Sequence, residues 1–268
     1  MQNSIQSSQN PKIKFLTQLK EKARIRKKEE CFIVEGQREI LLAIKGQYTL
    51  RHVYYCSSII SKEKVLKITK EHRTAIEYFE ITSEIYQKLA YRTTTEGILA
   101  IAIAKNLSIE NLKLSSKNPL ILIAEAPEKP GNIGALLRTT DAAQLDAVII
   151  ANPKTDLYNP NIIRSSVGCL FTINIATGSS TDIIKFLQQE NINIYGAALE
   201  KAETYHTQDY TQSTAIVVGT EATGLSTTFL SQTTQNIKIP MNGVIDSMNV
   251  SVAAGILIFE AKRQRNFM

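Results

Sequence analysis

The sequence predicts an α/β protein in two parts, a small α/β sandwich followed by an open, mainly parallel sheet. Three observations carry that expectation. Apolar runs of strand length alternate with segments of helical periodicity along the whole chain. The runs in the second half, LILIA at 120–124 above all, are uninterrupted, as in strands covered on both faces. Between the halves the pattern breaks at a polar stretch, 106–119, that ends in SSKNP. A linker is therefore expected at 113–118, between one domain at 1–112 and another at 119–268.

Residues 1–10 are polar and read as a loose end. Ile13, Leu16, Leu19 and Ala23 then recur at helical spacing, while Lys12, Lys20, Lys22, Arg24, Arg26, Lys27 and Lys28 cover the other faces. This pattern predicts a helix over 11–20, followed by a second short turn. The apolar run at 32–34 ends at Glu35-Gly36 and reads as a strand, and 38–43 as a helix stopped near Gly46. LRHVYYC at 50–56 is β-branched and aromatic, hence a strand. Ser61 is placed to cap a helix over 61–68, and Thr82 or Ser83 to cap one over 84–89. Strands are expected at 76–81 and 98–104.

In the second half, strands are expected at 120–124, 148–151, 171–175, 192–198, 214–218 and 237–240. Helices are expected at 132–144, 161–169, 180–190 and 250–265. Six strands with interposed helices in about 150 residues describe an open sheet rather than a sandwich.

Composition narrows the function. The 268 residues are 43% hydrophobic, enough for one large core or two smaller ones. The formal net charge of +6 is unevenly placed: residues 1–112 hold 19 Lys/Arg against 12 Glu, and the remainder 12 against 13 acidic residues. A basic module joined to a near-neutral one points to a polyanion, most simply nucleic acid, or else to a solubilising face. Three cysteines, Cys31, Cys56 and Cys169, stand far apart, which fits a reducing cytoplasm. With only three scattered histidines no metal site is expected. The first residues lack the apolar stretch of a signal peptide, and no run is long enough to cross a bilayer.

Three glycine-bearing turns follow expected strands. Asn132 to Arg138 opens a helix, with Gly131 and Gly134 allowing close backbone approach. Val218-Gly219-Thr220-Glu221-Ala222-Thr223-Gly224-Leu225 sets an acid between two glycines. The last, after Pro240, places Ser247 and Asn249 beside Met241 and Met248. Each alone is equally an ordinary strand-to-helix turn. None is a dinucleotide or phosphate loop, since Gly-x-Gly-x-x-Gly and Gly-Lys-Ser/Thr are missing.

Together they resemble a known family. PGNIGALLRTTDAA at 130–143, IVVGTEATGLS at 216–226 and IKIPMNGVIDSMNVSVAAGILIFEA at 237–261, with IIRSSVGCLF at 162–171 between them, are similar to the motifs of SpoU/TrmH ribose 2′-O-methyltransferases of the SPOUT superfamily. FIVEGQREI at 32–40 resembles the L30e-like substrate-binding domain of two-domain members. The resemblance implies a deep trefoil knot, a homodimer through the catalytic domain, and bound S-adenosylmethionine. Cofactor contacts would fall on Gly219, Ile239 and Met248, with Thr220, Glu221, Leu225 and Met241 shaping the pocket. Ser247-Met248-Asn249 stands where the family usually shows Ser-Leu-Asn, a nearly volume-conserving change.

The resemblance further implies that Arg138 works at the ribose hydroxyl, as a base or as a phosphate and charge stabiliser. Asn132 would orient it or the ribose, and Ser247 and Asn249 would bond near the reacting oxygen. RNA contacts would come from Arg164, Lys12, Arg24, Arg26, Lys27, Lys28 and Arg38. The expected substrate is 23S ribosomal RNA. Transfer RNA is the alternative, and a noncatalytic RNA-binding protein a further one.

Overall fold

The computed structural model describes residues 4–91, 95–220, 222–244 and 247–267. They form two compact units, and the division is not the one expected. The first unit takes in the chain up to Lys105 together with Thr155–Thr172; the second takes Asn106–Lys154 and the chain from Ile173 onward. The stretch 106–112, expected in the first domain, packs with the second. There Ile109 and Leu112 are buried in the core, and the Leu107 carbonyl accepts the Thr177 amide at 2.6 Å.

In the first unit, β1 (Ser4–Ile5), β2 (Cys31–Glu35), β3 (Leu50–Tyr55), β4 (Glu77–Ile81) and β5 (Ile98–Ile103) form one sheet in the order β1-β4-β3-β5-β2. The first three strands in that order run parallel, and β5 is antiparallel to both its neighbours. The N-terminal stretch expected to be loose contributes β1, because Ile5 is buried against this sheet. Helices α1 (Pro11–Glu21), α2 (Ala23–Glu29), α3 (Gln37–Lys45), α4 (Lys62–Ile68) and α5 (Ser83–Leu89) accompany it. Their starts follow local chemistry. Asn10 caps α1 ahead of Pro11, Ser61 caps α4 and Thr82 caps α5, each side chain accepting an amide of the first turn. Ile13, Leu16 and Leu19 of α1 are buried, as their spacing requires.

In the second unit β6 (Leu120–Glu125) leads to α6 (Pro130–Ala142) and β7 (Ala147–Ala151). The chain then leaves for the first unit, where it forms α7 (Pro160–Ser165), and returns as β8 (Ile175–Gly178). There follow α8 (Ser180–Gln189), β9 (Asn193–Ala197), β10 (Ala202–Thr204), β11 (Thr214–Val218), α9 (Thr227–Leu230), β12 (Gln235–Lys238) and α10 (Val250–Gln264). The seven strands, in the order β10-β12-β9-β11-β6-β7-β8, are all parallel. Strand β10 was not expected: it is a short edge strand with one residue in three apolar, too brief for a pattern.

The excursion 155–172 explains two further departures. The helix expected over 161–169 stops at Ser165, because Val167 and Gly168 take left-handed conformations with φ of 58° and 85°. The strand expected at 171–175 begins only at Ile175, as β8. Phe171 closes a short 3₁₀ turn instead, with its ring in an aromatic cluster with Phe32 and Tyr48. Tyr158 stacks on Phe32 with centroids 4.2 Å apart. A Cβ on Gly46 would lie 1.8 Å from the Phe171 carbonyl oxygen, so only glycine permits this approach.

Arg26 corrects another expectation. It is 5% exposed and cannot face RNA. Its guanidinium forks onto Asp156, Nε to Oδ1 at 3.1 Å and Nη2 to Oδ2 at 2.6 Å, while Nη1 donates to the Leu19 carbonyl at 2.6 Å. Removing one partner of a buried pair strands the other charge. Arg26→Ala is therefore expected to lower the unfolding free energy of the first unit by about 3 kcal/mol. Arg24→Ala, at an exposed position of the same helix, should stay within about 0.5 kcal/mol of wild type. Urea titration followed by circular dichroism checks both.

Candidate active site

Strands β6 and β11 are neighbours whose onward connections diverge. Beyond β6 lie β7 and β8; beyond β11 lie β9, β12 and β10. In an open parallel sheet such a divergence leaves a crevice at the carboxyl ends of the strands. Two cavities occupy it. The larger, about 260 Å³, is lined by Ala198, Leu199, Ile239, Met241, Ser247 and Met248, with Ala253 and Leu257 of α10. The smaller, about 170 Å³, is lined by Pro127, Glu128, Lys129, Asn132, Leu136 and Ala222. Gly219, Thr220 and Val250 line both, so the spaces adjoin.

Where they adjoin, the chain folds tightly back on itself in a hairpin at 219–224, Thr220 pairing with Gly224. The Thr220 amide donates to the Gly224 carbonyl at 3.0 Å and the Gly224 amide returns the bond at 3.1 Å. The Thr223 amide donates to Thr220 Oγ1 at 3.0 Å. Gly224 has a φ of 66°, and a Cβ on Gly219 would lie 2.1 Å from the Gly224 carbonyl carbon. Both glycines are therefore required by the backbone itself. Glu221, expected to brace this loop, lies outside the described residues.

Helices α6 and α10 pack against each other and both begin at the crevice. Pro130 sits at the first position of α6, where its missing amide costs nothing. Asn249 caps α10: its Oδ1 accepts the Ser251 amide at 2.9 Å, and its Nδ2 donates to Asn132 Oδ1 at 3.1 Å. One side chain thus terminates a helix and ties the two helix starts together.

The structure gathers Asn132, Gly219, Thr220, Ile239, Met241, Ser247, Met248 and Asn249 around the crevice. Two expected residues are placed elsewhere. Arg138 lies six residues beyond Asn132 on α6, exposed, and lines neither cavity. Leu225 is 6% exposed and belongs to the core with Phe229 and Val217, because the hairpin turns its side chain inward. The expected RNA contacts, apart from Arg26, lie at the surface of the first unit. Arg24, Lys27 and Lys28 are exposed on α2. Lys12 pairs with Glu77 at 3.9 Å, and Arg38 Nη2 lies 3.3 Å from Glu39 Oε1. Arg164 is exposed on α7, with its guanidinium 5.9 Å from the centre of the Tyr91 ring.

Sequence reasoning passed over Leu199, Val250 and Glu125. The first two are plain apolar residues whose only signal is their place after β9 and at the start of α10. Glu125 left a trace, an acid closing the otherwise apolar run LILIAE. Among the described residues no helix is long and apolar enough to cross a membrane.

Residues 119–259 match the model of the SpoU rRNA methylase family, and residues 10–100 that of an MRM3-like substrate-binding domain. The chain is similar to the 23S rRNA (guanosine(2553)-2′-O)-methyltransferase RlmP of Bacillus subtilis, 28% identical over 96% of this chain and 98% of that protein. A crystal structure of an RNA 2′-O ribose methyltransferase superposes with a TM-score of 0.83 at 32% identity, covering 98% of this chain and 99% of the other. The AdoMet-bound rRNA methyltransferase of Sinorhizobium meliloti shares the fold, with a TM-score of 0.89 at 22% identity and 97% coverage of each chain.

The crowding at Gly219 makes a direct expectation. Gly219→Ala should cost about 2–3 kcal/mol of stability through the forced backbone shift. Gly131→Ala should be neutral within about 0.5 kcal/mol, since a Cβ there meets nothing within 4 Å. Differential scanning calorimetry of the two variants measures the contrast.

Proposed function

The chain belongs to the SpoU rRNA methylase family, and on that premise we propose that it transfers a methyl group from S-adenosylmethionine to a ribose 2′-hydroxyl of 23S ribosomal RNA. The observation that carries the reading is the pair of adjoining cavities sharing Gly219, Thr220 and Val250. A bimolecular transfer needs two ligands held with their reacting atoms in line, and two cavities that adjoin at shared residues allow that.

The larger cavity suits the cofactor. Its walls are apolar at Leu199, Ile239, Met241, Met248 and Leu257, and Gly219 leaves backbone groups open to contact. S-adenosylmethionine bound there supplies a methyl group already activated on a positively charged sulfur, so the chain's task is alignment and removal of a proton. The smaller cavity, entered past Lys129 and Asn132, suits the acceptor nucleotide. Asn132, fixed by Asn249, would orient the ribose, and Ser247 would bond near the reacting oxygen. Arg138 stands on the exposed face of α6 and is proposed to hold a nucleotide phosphate and stabilise developing negative charge. A guanidinium has no acceptor and stays protonated, which disfavours it as the base itself.

The surplus positive charge of the first unit would attract the RNA backbone, while shape and base contacts select the site. The reading also includes a homodimer through the second unit, working in the cytoplasm. Val252 and Phe259, seven residues apart on α10, share a face and are 54% and 45% exposed. Their exposure supports a second copy covering them.

The test is methyl transfer from labelled S-adenosylmethionine to total RNA, followed by mapping of the labelled ribose. Label in large ribosomal RNA is expected, with Arg138→Ala and Asn132→Ala lowering kcat/KM about a hundredfold. Label in transfer RNA would overturn the substrate; proven cofactor binding without label in RNA or ribosomal subunits would overturn the enzyme reading. Analytical ultracentrifugation should give a dimer for the wild type and a monomer for Phe259→Arg, and a monomeric wild type would remove the dimer.

A further inference from the structure

Glu125 ends β6, is 4% exposed, and lines neither cavity. A carboxylate taken out of water persists only where donors replace its hydration. Glu125 has them from two residues distant in sequence. Its Oε1 accepts Ser180 Oγ and Ser226 Oγ, each at 2.7 Å, and its Oε2 accepts the Ser226 amide at 2.8 Å. Ser226 is therefore held at two points, through backbone and side chain. Ser180 is held separately by Asn152, whose Nδ2 donates to Ser180 Oγ at 2.7 Å and whose Oδ1 accepts the Ser180 amide at 3.2 Å.

Ser226 has a particular place in the chain. It follows Leu225, which is locked in the core, and Gly224, the end of the hairpin whose Gly219 and Thr220 line both cavities. At its other end the hairpin continues directly from β11. One end is thus set by the sheet and the other by the bond from Ser226 to Glu125. We infer that Glu125 is a positioning residue. Acting through Ser226, it holds the 219–224 hairpin at the spacing that the cofactor cavity and the acceptor cavity both require. The inference rests on the reading of those cavities as donor and acceptor sites.

Four variants of the full chain test it: Glu125→Gln, Ser226→Ala, Ser226→Thr and Ser180→Ala. Glu125→Gln and Ser226→Ala are expected to raise the calorimetric Kd and the KM for S-adenosylmethionine by about tenfold or more, the usual scale for losing a hydrogen bond to a charged group. Ser226→Thr keeps the hydroxyl and should restore binding. Ser180→Ala loses a bond to the same carboxylate but none to the hairpin, and should stay within about twofold. A merely structural role would lower the melting temperature of Ser180→Ala and Ser226→Ala alike without separating their affinities. Equal affinities in those two, or wild-type affinity in a folded Glu125→Gln, would overturn the inference. If Glu125→Gln does not fold, the serine pair decides. Failure of the wild type to bind S-adenosylmethionine would overturn the proposed function instead. Amide exchange at Thr220 and Gly224, expected to be faster in Ser226→Ala than in Ser180→Ala, would then still judge the tether, and equal rates would overturn it.

Discussion

The all-parallel pairing of β11 between β6 and β9 is the constraint from which the site follows. Parallel strands end on one edge of the sheet, so every turn that follows a strand gathers on the same side. The turns after β6, β9, β11 and β12 therefore meet, although the ends of the later strands lie 72 to 113 residues beyond that of β6 (125 against 197, 218 and 238). The helices α6 and α10 begin at the same edge. Asn249 then does two things with one amide group, capping α10 and reaching Asn132 on α6.

The hairpin at 219–224 turns that gathering into chemistry. Its two glycines let the backbone fold back closely on itself beside Gly219, which lines both cavities. In methyl transfer donor and acceptor atoms must come into line, and small misplacements are costly. Leu225 in the core and Ser226 on Glu125 anchor the chain that follows the hairpin.

The first unit shows how charge and position divide the work of basic residues. Arg24, Lys27 and Lys28 remain at the surface of α2, where Lys27 and Lys28, in its last turn, also complement the negative end of the helix dipole. Arg26, one turn among them, is consumed by Asp156 of the excursion 155–172 and holds that segment to α1 and α2. Composition cannot tell these neighbours apart, because the carboxylate that claims Arg26 lies 130 residues away in the chain.

Local chemistry was legible wherever a few adjacent residues decide the outcome. Ser61 and Thr82 announced helix starts, and LILIA announced a strand covered on both faces. The three glycine-bearing turns announced a site, and their motifs announced its family. Residues whose role depends on distant partners were not legible. Phe171 looked like a strand residue until aromatic rings from β2 and α3's end claimed it. Leu225 looked like part of a ligand wall until the hairpin turned it into the core. Glu125 carried no visible task until Ser180 and Ser226 arrived. The sequence by itself determined the α/β class, because periodicity and capping act over a few residues, and the family, through the resemblance of its motifs. Only the tertiary structure decided which side chains line the cavities and which are buried behind them, because burial and hydrogen-bond partners are settled by elements that meet only when the sheet closes.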